Sequence, residues 1–242
     1  MEIFESGAEL LIIMPVFNEQ ASVRKVVTEW FFEIENWTRD FVFLALNDGS
    51  TDGTLAVLEK LKEQLGPRLE IASHANRGHG QTCLTGYRYA LTRGAQWVFQ
   101  IDSDGQCDPQ YFFRFWGLRE KYDVIYGVRK TRDDGLRRAM ASQALRLVLA
   151  VTRRVDCVDA NVPYRLMRAE VLKNALNRIP NDFFLANVAI AVLLRENPTI
   201  REGRVPIRFR ERYGGEPNVA LSQFGLRAVE LVCQLRSLLG KK

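Results

Sequence analysis

Cysteine is scarce in this chain, and none of it is paired in sequence. Cys83, Cys107, Cys157 and Cys233 are the only four among 242 residues, and no C-x-x-C occurs. Neither a zinc site nor a redox motif is therefore legible, and reduced thiols in a cytosolic setting are expected. Long apolar runs are missing as well. The longest nearly uncharged stretch, Phe183 to Leu194, falls well short of the roughly 20 residues a membrane span requires, so it reads as a buried helix. Met1 to Glu9 carries acidic residues and lacks the basic start of a secretory signal. There is no internal repeat, low-complexity tract or linker, which makes one α/β domain over 1–242 the default. Nucleic-acid binding has no support, since no recognition helix, zinc finger or aromatic RNA-binding motif is found.

What remains is a folded, basic chain. Apolar residues make up 47% and charged residues 26%, with a formal charge of +5 and a pI near 9.1. Such a balance suits any anionic partner, including nucleotide phosphates and anionic lipid headgroups. The run Leu10-Leu11-Ile12-Ile13-Met14-Pro15-Val16 has the texture of a strand buried on both faces of a parallel sheet. A helix over about Ala21 to Asn36, a strand over Phe41 to Leu46 and a helix ending near Leu65 follow. Next come a strand over Leu69 to Ser73, a helix over Gly80 to Arg93 and a strand over Trp97 to Ile101. This alternation predicts a mostly parallel, doubly wound sheet with its ligand beyond the carboxyl ends of the strands. Pro109 is suited to open a helix reaching about Lys121, before a strand over Asp123 to Gly127.

Beyond that strand the texture changes. Thr131 to Val155 mixes arginines with Leu145, Leu147, Val148, Leu149 and Val151. It reads either as an amphipathic helix packed on the domain or as one facing an anionic membrane surface. A strand near Tyr164 to Met167, a helix near Glu170 to Leu176, a strand over Arg204 to Arg210 and a helix over Leu221 to Leu238 complete the expectation.

Polar clusters fall at the strand ends. Asp102-Ser103-Asp104-Gly105-Gln106 places two carboxylates one residue apart after an apolar strand. Asp102, Asp104 and the neutral oxygen of Gln106 are hard donors suited to Mg²⁺ or Mn²⁺, with a diphosphate completing the coordination. A lone Asp-x-Asp is weak, because turns select aspartate for capping; convergence with other strand ends gives it weight. Those ends are Pro15-Val16-Phe17-Asn18-Glu19, Asn47-Asp48-Gly49-Ser50 and Asn76-Arg77-Gly78-His79-Gly80. Asn18, Asp48 and Ser50 read as helix caps, a role compatible with Asp48 accepting a base N–H and Glu19 meeting a ribose hydroxyl or base. His79 reads as a packing or polar contact.

In order along almost the whole chain, these motifs resemble family 2 glycosyltransferases of the GT-A fold. The closest branch includes dolichol-phosphate mannose synthases and bacterial polyprenyl-phosphate glycosyltransferases. Tyr126-Gly127-Val128-Arg129, Tyr164-Arg165 and Arg212-Tyr213-Gly214-Gly215 extend the match. The resemblance implies that Pro15, Phe17, Glu19, Leu46 and Asp48 hold the nucleoside. It gives the metal and diphosphate to Asp102, Ser103, Asp104 and Gln106, and phosphates to Arg129 and Arg212. Asp104, Arg129 and Arg212 would carry the chemistry. Residues 1–130 would then bind the nucleotide sugar and 131–242 the acceptor side. Three departures from the family pattern stand out: Asn47 replaces an acid, Pro163 a glycine, and Pro217-Asn218 a serine and a lysine. They bear on the acceptor more than on the donor.

The implied reaction is inverting transfer from a GDP- or UDP-sugar to a polyprenyl or dolichyl phosphate, at the cytoplasmic face of a membrane. Arg137-Arg138 is a further pair able to position such a phosphate. A hydroxyl acceptor on a glycan or glycolipid would need a general base, for which Asp104 and Asp159 are the candidates. A nucleotidyltransferase is disfavoured, because no glycine-rich phosphate loop follows the first strand. A non-catalytic nucleotide-sugar-binding scaffold is the remaining alternative.

Overall fold

The computed structural model of the chain describes residues 7–129, 162–183 and 185–213, together with 234, 237 and 238. The arginine-rich segment with Arg137-Arg138, Asp159, Pro217-Asn218 and most of the expected C-terminal helix lie outside the described residues.

Among those described, the strands are β1 (Leu10–Val16), β2 (Phe41–Asp48), β3 (Leu69–His74), β4 (Trp97–Ile101), β5 (Val124–Arg129), β6 (Tyr164–Arg168) and β7 (Glu202–Ile207). They form one sheet in the order β3-β2-β1-β4-β6-β5-β7. Pairing is parallel for β1 with β2 and β4, β2 with β3, and β5 with β7, while β6 runs antiparallel to β4 and β5. The mostly parallel sheet expected from the alternation is therefore present. Reversal of β6 also sends the carboxyl ends of β5 and β7 to the same edge as those of β1, β2 and β4.

The helices are α1 (Val23–Glu35), α2 (Thr54–Leu65), α3 (His79–Thr92), α4 (Phe112–Leu118), α5 (Ala169–Leu176) and α6 (Ala186–Arg195). Strand side chains alternate between faces, and β1 shows why its run is apolar throughout. Leu11 and Ile13 enter a core shared with α3, α5 and α6, whereas Leu10, Ile12, Met14 and Val16 enter one shared with α1, α2 and α4. Phe99 of β4 centres the second core, with ring centroids 5.5 Å from Trp30, 5.3 Å from Phe112 and 5.2 Å from Tyr164. Each such buried side chain contributes about 1.5–3 kcal/mol of apolar burial. Together they seat α1 and α4 beneath the loop that leaves β4. The apolar helix α6 is buried over nine consecutive residues, Ala186 to Leu194.

Two elements differ from expectation. The helix foreseen from Pro109 to Lys121 begins as a 3₁₀ turn over Pro109–Tyr111 and becomes α-helical only over Phe112–Leu118. Asp108 tightens that start, its carboxylate accepting from the Gln110 amide at 3.1 Å. The last strand stops at Ile207 rather than Arg210, where its partner β5 also stops, at Arg129. The chain beyond it crosses to the β4 loop through a bridge between Cys107 and Phe209.

Candidate active site

A crevice follows from the strand registers. On one side β1 stays paired to β2 as far as Val16↔Asn47, but on the other its pairing with β4 ends at Ile13↔Gln100. Beyond Ile13 the two strands part. Pro15 sits there, where its missing N–H interrupts no bond to β4. This is also where the strand order switches direction, the position at which open α/β sheets bind ligands.

The first two strand ends are tied together. Asn18, at φ 53°, donates its amide to Ser50 Oγ at 3.0 Å and accepts from the Thr51 amide at 2.8 Å. The Glu19 amide donates to Thr54 Oγ1 at 2.9 Å. The capping role considered for Asn18 and Ser50 is thus corrected: both knit one loop to the other, and Asp52 instead receives the Thr54 amide at 3.0 Å at the start of α2. Asp48 reaches across to the loop before α3, accepting from the amides of Arg77 at 2.7 Å and Gly78 at 3.0 Å. Leu46 and Pro15 are neighbours in register and buried, and Phe17, just past the end of β1, is half-buried.

The β4 loop carries the paired aspartates. Asp104 Oδ1 accepts from the Gln106 amide at 3.0 Å, and Gly105 between them adopts φ 81°. Asp102 Oδ1 accepts from Gln100 Nε2 at 3.3 Å and lies 3.8 Å from His79 Nε2. The Cys83 sulfur, with Asp102 adding to it and burial opposing, pushes the His79 imidazole up to about 10. Ser103 is buried and Gln106 half-buried.

Glu19 joins this loop to the far side of the crevice. It is buried, pairs with the Arg212 guanidinium, and accepts from Ser22 Oγ at 2.5 Å. Burial raises its carboxyl pKa above 4.5 with a further push from Asp104, only partly opposed by Ser22 and Arg212. Arg212 itself lies on a segment stitched along the β4 loop. The Arg210 amide donates to Gln106 O at 2.9 Å and the Tyr213 amide to Asp104 O at 3.1 Å. The Arg210 side chain bonds Asp108, and reaches Glu29 of α1 at 2.7 Å. Tyr213 lies with its hydroxyl 3.0 Å from Glu29 and its ring under Lys25 Nζ at 3.8 Å.

A methyl group placed on Gly105 would stand 2.5 Å from the Tyr213 ring, in a backbone conformation that side chains disfavour. Gly105→Ala is accordingly expected to lower stability by about 1–3 kcal/mol, read from urea unfolding, and to loosen the aspartate loop.

The structure thus brings Glu19, Asp104 and Arg212 together and places Asp48 and Asp102 along the same edge. Arg129 closes β5 at that edge, with its side chain outside the description. Glu29, Asp108, Gln100 and Arg210 were not foreseen. Of these only Gln100 left a signal, as the one polar residue in the strand Trp97 to Ile101.

The described residues hold no cluster of three or more His, Cys, Asp and Glu able to bind a metal. Asp102, Asp104 and the Gln106 amide oxygen are nevertheless all hard oxygen donors, and they fit Mg²⁺ or Mn²⁺ provided that ligand oxygens complete the shell.

Comparison with known proteins decides the family. The family model described as glycosyl transferase family 2 matches residues 11–183. The chain belongs to that family. Among relatives of this family 2 chain, an undecaprenyl-phosphate 4-deoxy-4-formamido-L-arabinose transferase of Edwardsiella ictaluri is 24% identical over 229 residues, covering 93% of this chain and 66% of the relative. Its counterpart in Enterobacter sp. is also 24% identical, over 88% of this chain and 63% of the relative. The chain therefore spans about two thirds of the length of the curated relatives it matches. Among solved structures, glucosyl-3-phosphoglycerate synthase from Mycobacterium tuberculosis, in complex with Mn²⁺, uridine-diphosphate and glucosyl-3-phosphoglycerate, superposes with a TM-score of 0.65 at 18% identity. That match covers 97% of this chain and 81% of the synthase. At this identity the likeness shows a shared GT-A fold.

Proposed function

We propose that this family 2 chain transfers a sugar, with inversion, from a GDP- or UDP-sugar to a polyprenyl or dolichyl phosphate. The observation that carries the reading is the Glu19–Arg212 ion pair beside Asp104, which joins the ends of β1, β4 and β7 around one crevice. In this reading Pro15, Phe17, Glu19, Leu46 and Asp48 hold the nucleoside, and Arg129 and Arg212 bind phosphate oxygens, for which the guanidinium fork is suited. Asp102, Ser103, Asp104 and Gln106 would hold Mg²⁺ or Mn²⁺ and the diphosphate. When bound, that cation neutralises charge on the departing nucleoside diphosphate.

An acceptor phosphate is already ionised at neutral pH, so the protein need only orient it and needs no strong base. Names of the relatives favour such an acceptor. No helix among the described residues is long and apolar enough to cross a membrane, and we assign the chain to the cytoplasmic surface of one, with residues 1–130 serving the donor and 131–242 the acceptor.

The test is release of nucleoside diphosphate from a panel of GDP- and UDP-sugars, with Mg²⁺ or Mn²⁺ and a short polyprenyl phosphate in detergent. Release that needs both metal and lipid phosphate is expected. Release of pyrophosphate instead, or turnover indifferent to the lipid, rejects the reading.

A further inference from the structure

Polar groups on β4, α3 and α6 meet in the core behind Asp102. Gln100 in β4 and Tyr87 in α3 are fully buried, and Asn187 in α6 is 3% exposed. The Tyr87 hydroxyl lies 3.0 Å from Gln100 Oε1 and 2.9 Å from the Asn187 side-chain amide; its single proton serves one of the two, so with Gln100 as acceptor the Asn187 amide turns its NH₂ toward the phenol oxygen. Arg165 of β6, also fully buried, anchors the far end by donating to the Asn187 carbonyl at 3.0 Å and to the Val162 carbonyl at 2.7 Å. At the near end the chain leaves the core, where Gln100 Nε2 donates to Asp102 Oδ1 at 3.3 Å.

The direction of these bonds matters. A side-chain amide offers an acceptor on one side and donors on the other, and a half-turn exchanges them. Gln100 sits between a hydroxyl and a carboxylate. A phenol that donates to Oε1 turns the NH₂ group toward Asp102, which a carboxylate accepts. The reverse orientation would set an amide oxygen against the carboxylate. Burial raises the Tyr87 phenol well above its ordinary range, with Arg165 opposing, so that it stays protonated and remains a donor.

We propose that Tyr87 is a positioning residue: its hydroxyl fixes the amide orientation of Gln100, and Gln100 in turn fixes the rotation of the Asp102 carboxylate for metal binding. The proposal rests on the glycosyltransferase reading of Asp102. Partners of this kind, one shell behind a metal ligand, typically change metal affinity about 10- to 100-fold when removed.

Tyr87→Phe removes one buried hydroxyl and no ring. The experiment titrates Mn²⁺ into wild-type and variant protein in the presence of UDP or GDP, following free Mn²⁺ by its paramagnetic resonance signal, and measures metal-free nucleotide affinity separately. We expect Mn²⁺ half-saturation in Tyr87→Phe to rise about tenfold with metal-free nucleotide affinity unchanged, a split that general loosening of the fold would not produce. Gln100→Met, which lacks the donor, should shift half-saturation in the same way and carries the test if Tyr87→Phe does not fold. Unchanged half-saturation in a folded variant overturns the proposal alone, as does equal weakening of metal-free and metal-linked binding. Absence of any Mn²⁺-linked nucleotide binding in the wild type sinks the glycosyltransferase reading and this proposal with it.

Discussion

Asp104→Asn is expected to lower metal-dependent release of nucleoside diphosphate about 10³-fold while leaving the fold intact. The two effects separate because Asp104 has two tasks. Its Oδ1 accepts from the Gln106 amide at 3.0 Å, and an asparagine oxygen can accept the same bond. The negative charge, which asparagine lacks, is what a divalent cation would use. Asp104→Ala loses both tasks, so it should match Asp104→Asn in turnover and fall below it in stability by about 0.5–1.5 kcal/mol, the net worth of one hydrogen bond. Turnover assays with saturating Mn²⁺ and thermal unfolding of the three proteins decide the matter. Undiminished metal-dependent turnover in Asp104→Asn would remove Asp104 from the site.

Sequence pattern made the donor half of the fold legible for a physical reason. Strands such as Leu10 to Val16 are covered on both faces, so their apolar runs are uninterrupted and stop abruptly at turn formers. Trp97–Ile101 was foreseen to the residue. Antiparallel β6 was recognisable as a strand near Tyr164 to Met167, yet nothing local encodes direction: its orientation is set by pairing Trp97 with Arg168 and Tyr126 with Arg165. The 3₁₀ start at Pro109 was hidden because proline opens either kind of helix, and the carboxylate of Asp108 decides between them.

Site residues divide in a similar way. Asp102 and Asp104 announce themselves through spacing at a strand end. Arg212 is one arginine among many in a basic chain, and only the family resemblance singled it out. What could not be seen is the scaffolding around it, since Arg210 meets Glu29 across 181 positions of sequence. Buried Gln100 and Asn187 were visible as polar breaks in apolar runs, but a break shows that a partner exists without naming it. Their shared partner, Tyr87, is an ordinary aromatic residue of a helix until the fold folds it between them.

Arg212→Ala should reduce turnover about 10²-fold, by loss of a charged donor to the phosphates, and should also destabilise the protein in a pH-dependent way. Glu19 is 5% exposed and its carboxyl already titrates above 4.5, with burial raising it and Arg212 among the groups that hold it down. Removing the guanidinium raises it further. Well below pH 4.5 Glu19 is protonated in folded and unfolded chains alike, so the variant loses little there. As pH rises past 4.5 the unfolded chain releases this proton before the folded one does, the folded state then binds more protons, and its stability falls. The gap between wild type and Arg212→Ala should therefore widen with pH to about 1–3 kcal/mol, the cost of leaving a buried charged group without its partner. Adding Glu19→Gln to Arg212→Ala removes the ionisable group, so it should flatten that pH dependence and recover stability without recovering turnover. Urea titrations at several pH values measure this cycle. A pH-independent gap between Arg212→Ala and wild type would mean that the pair is not what holds Glu19 in the crevice.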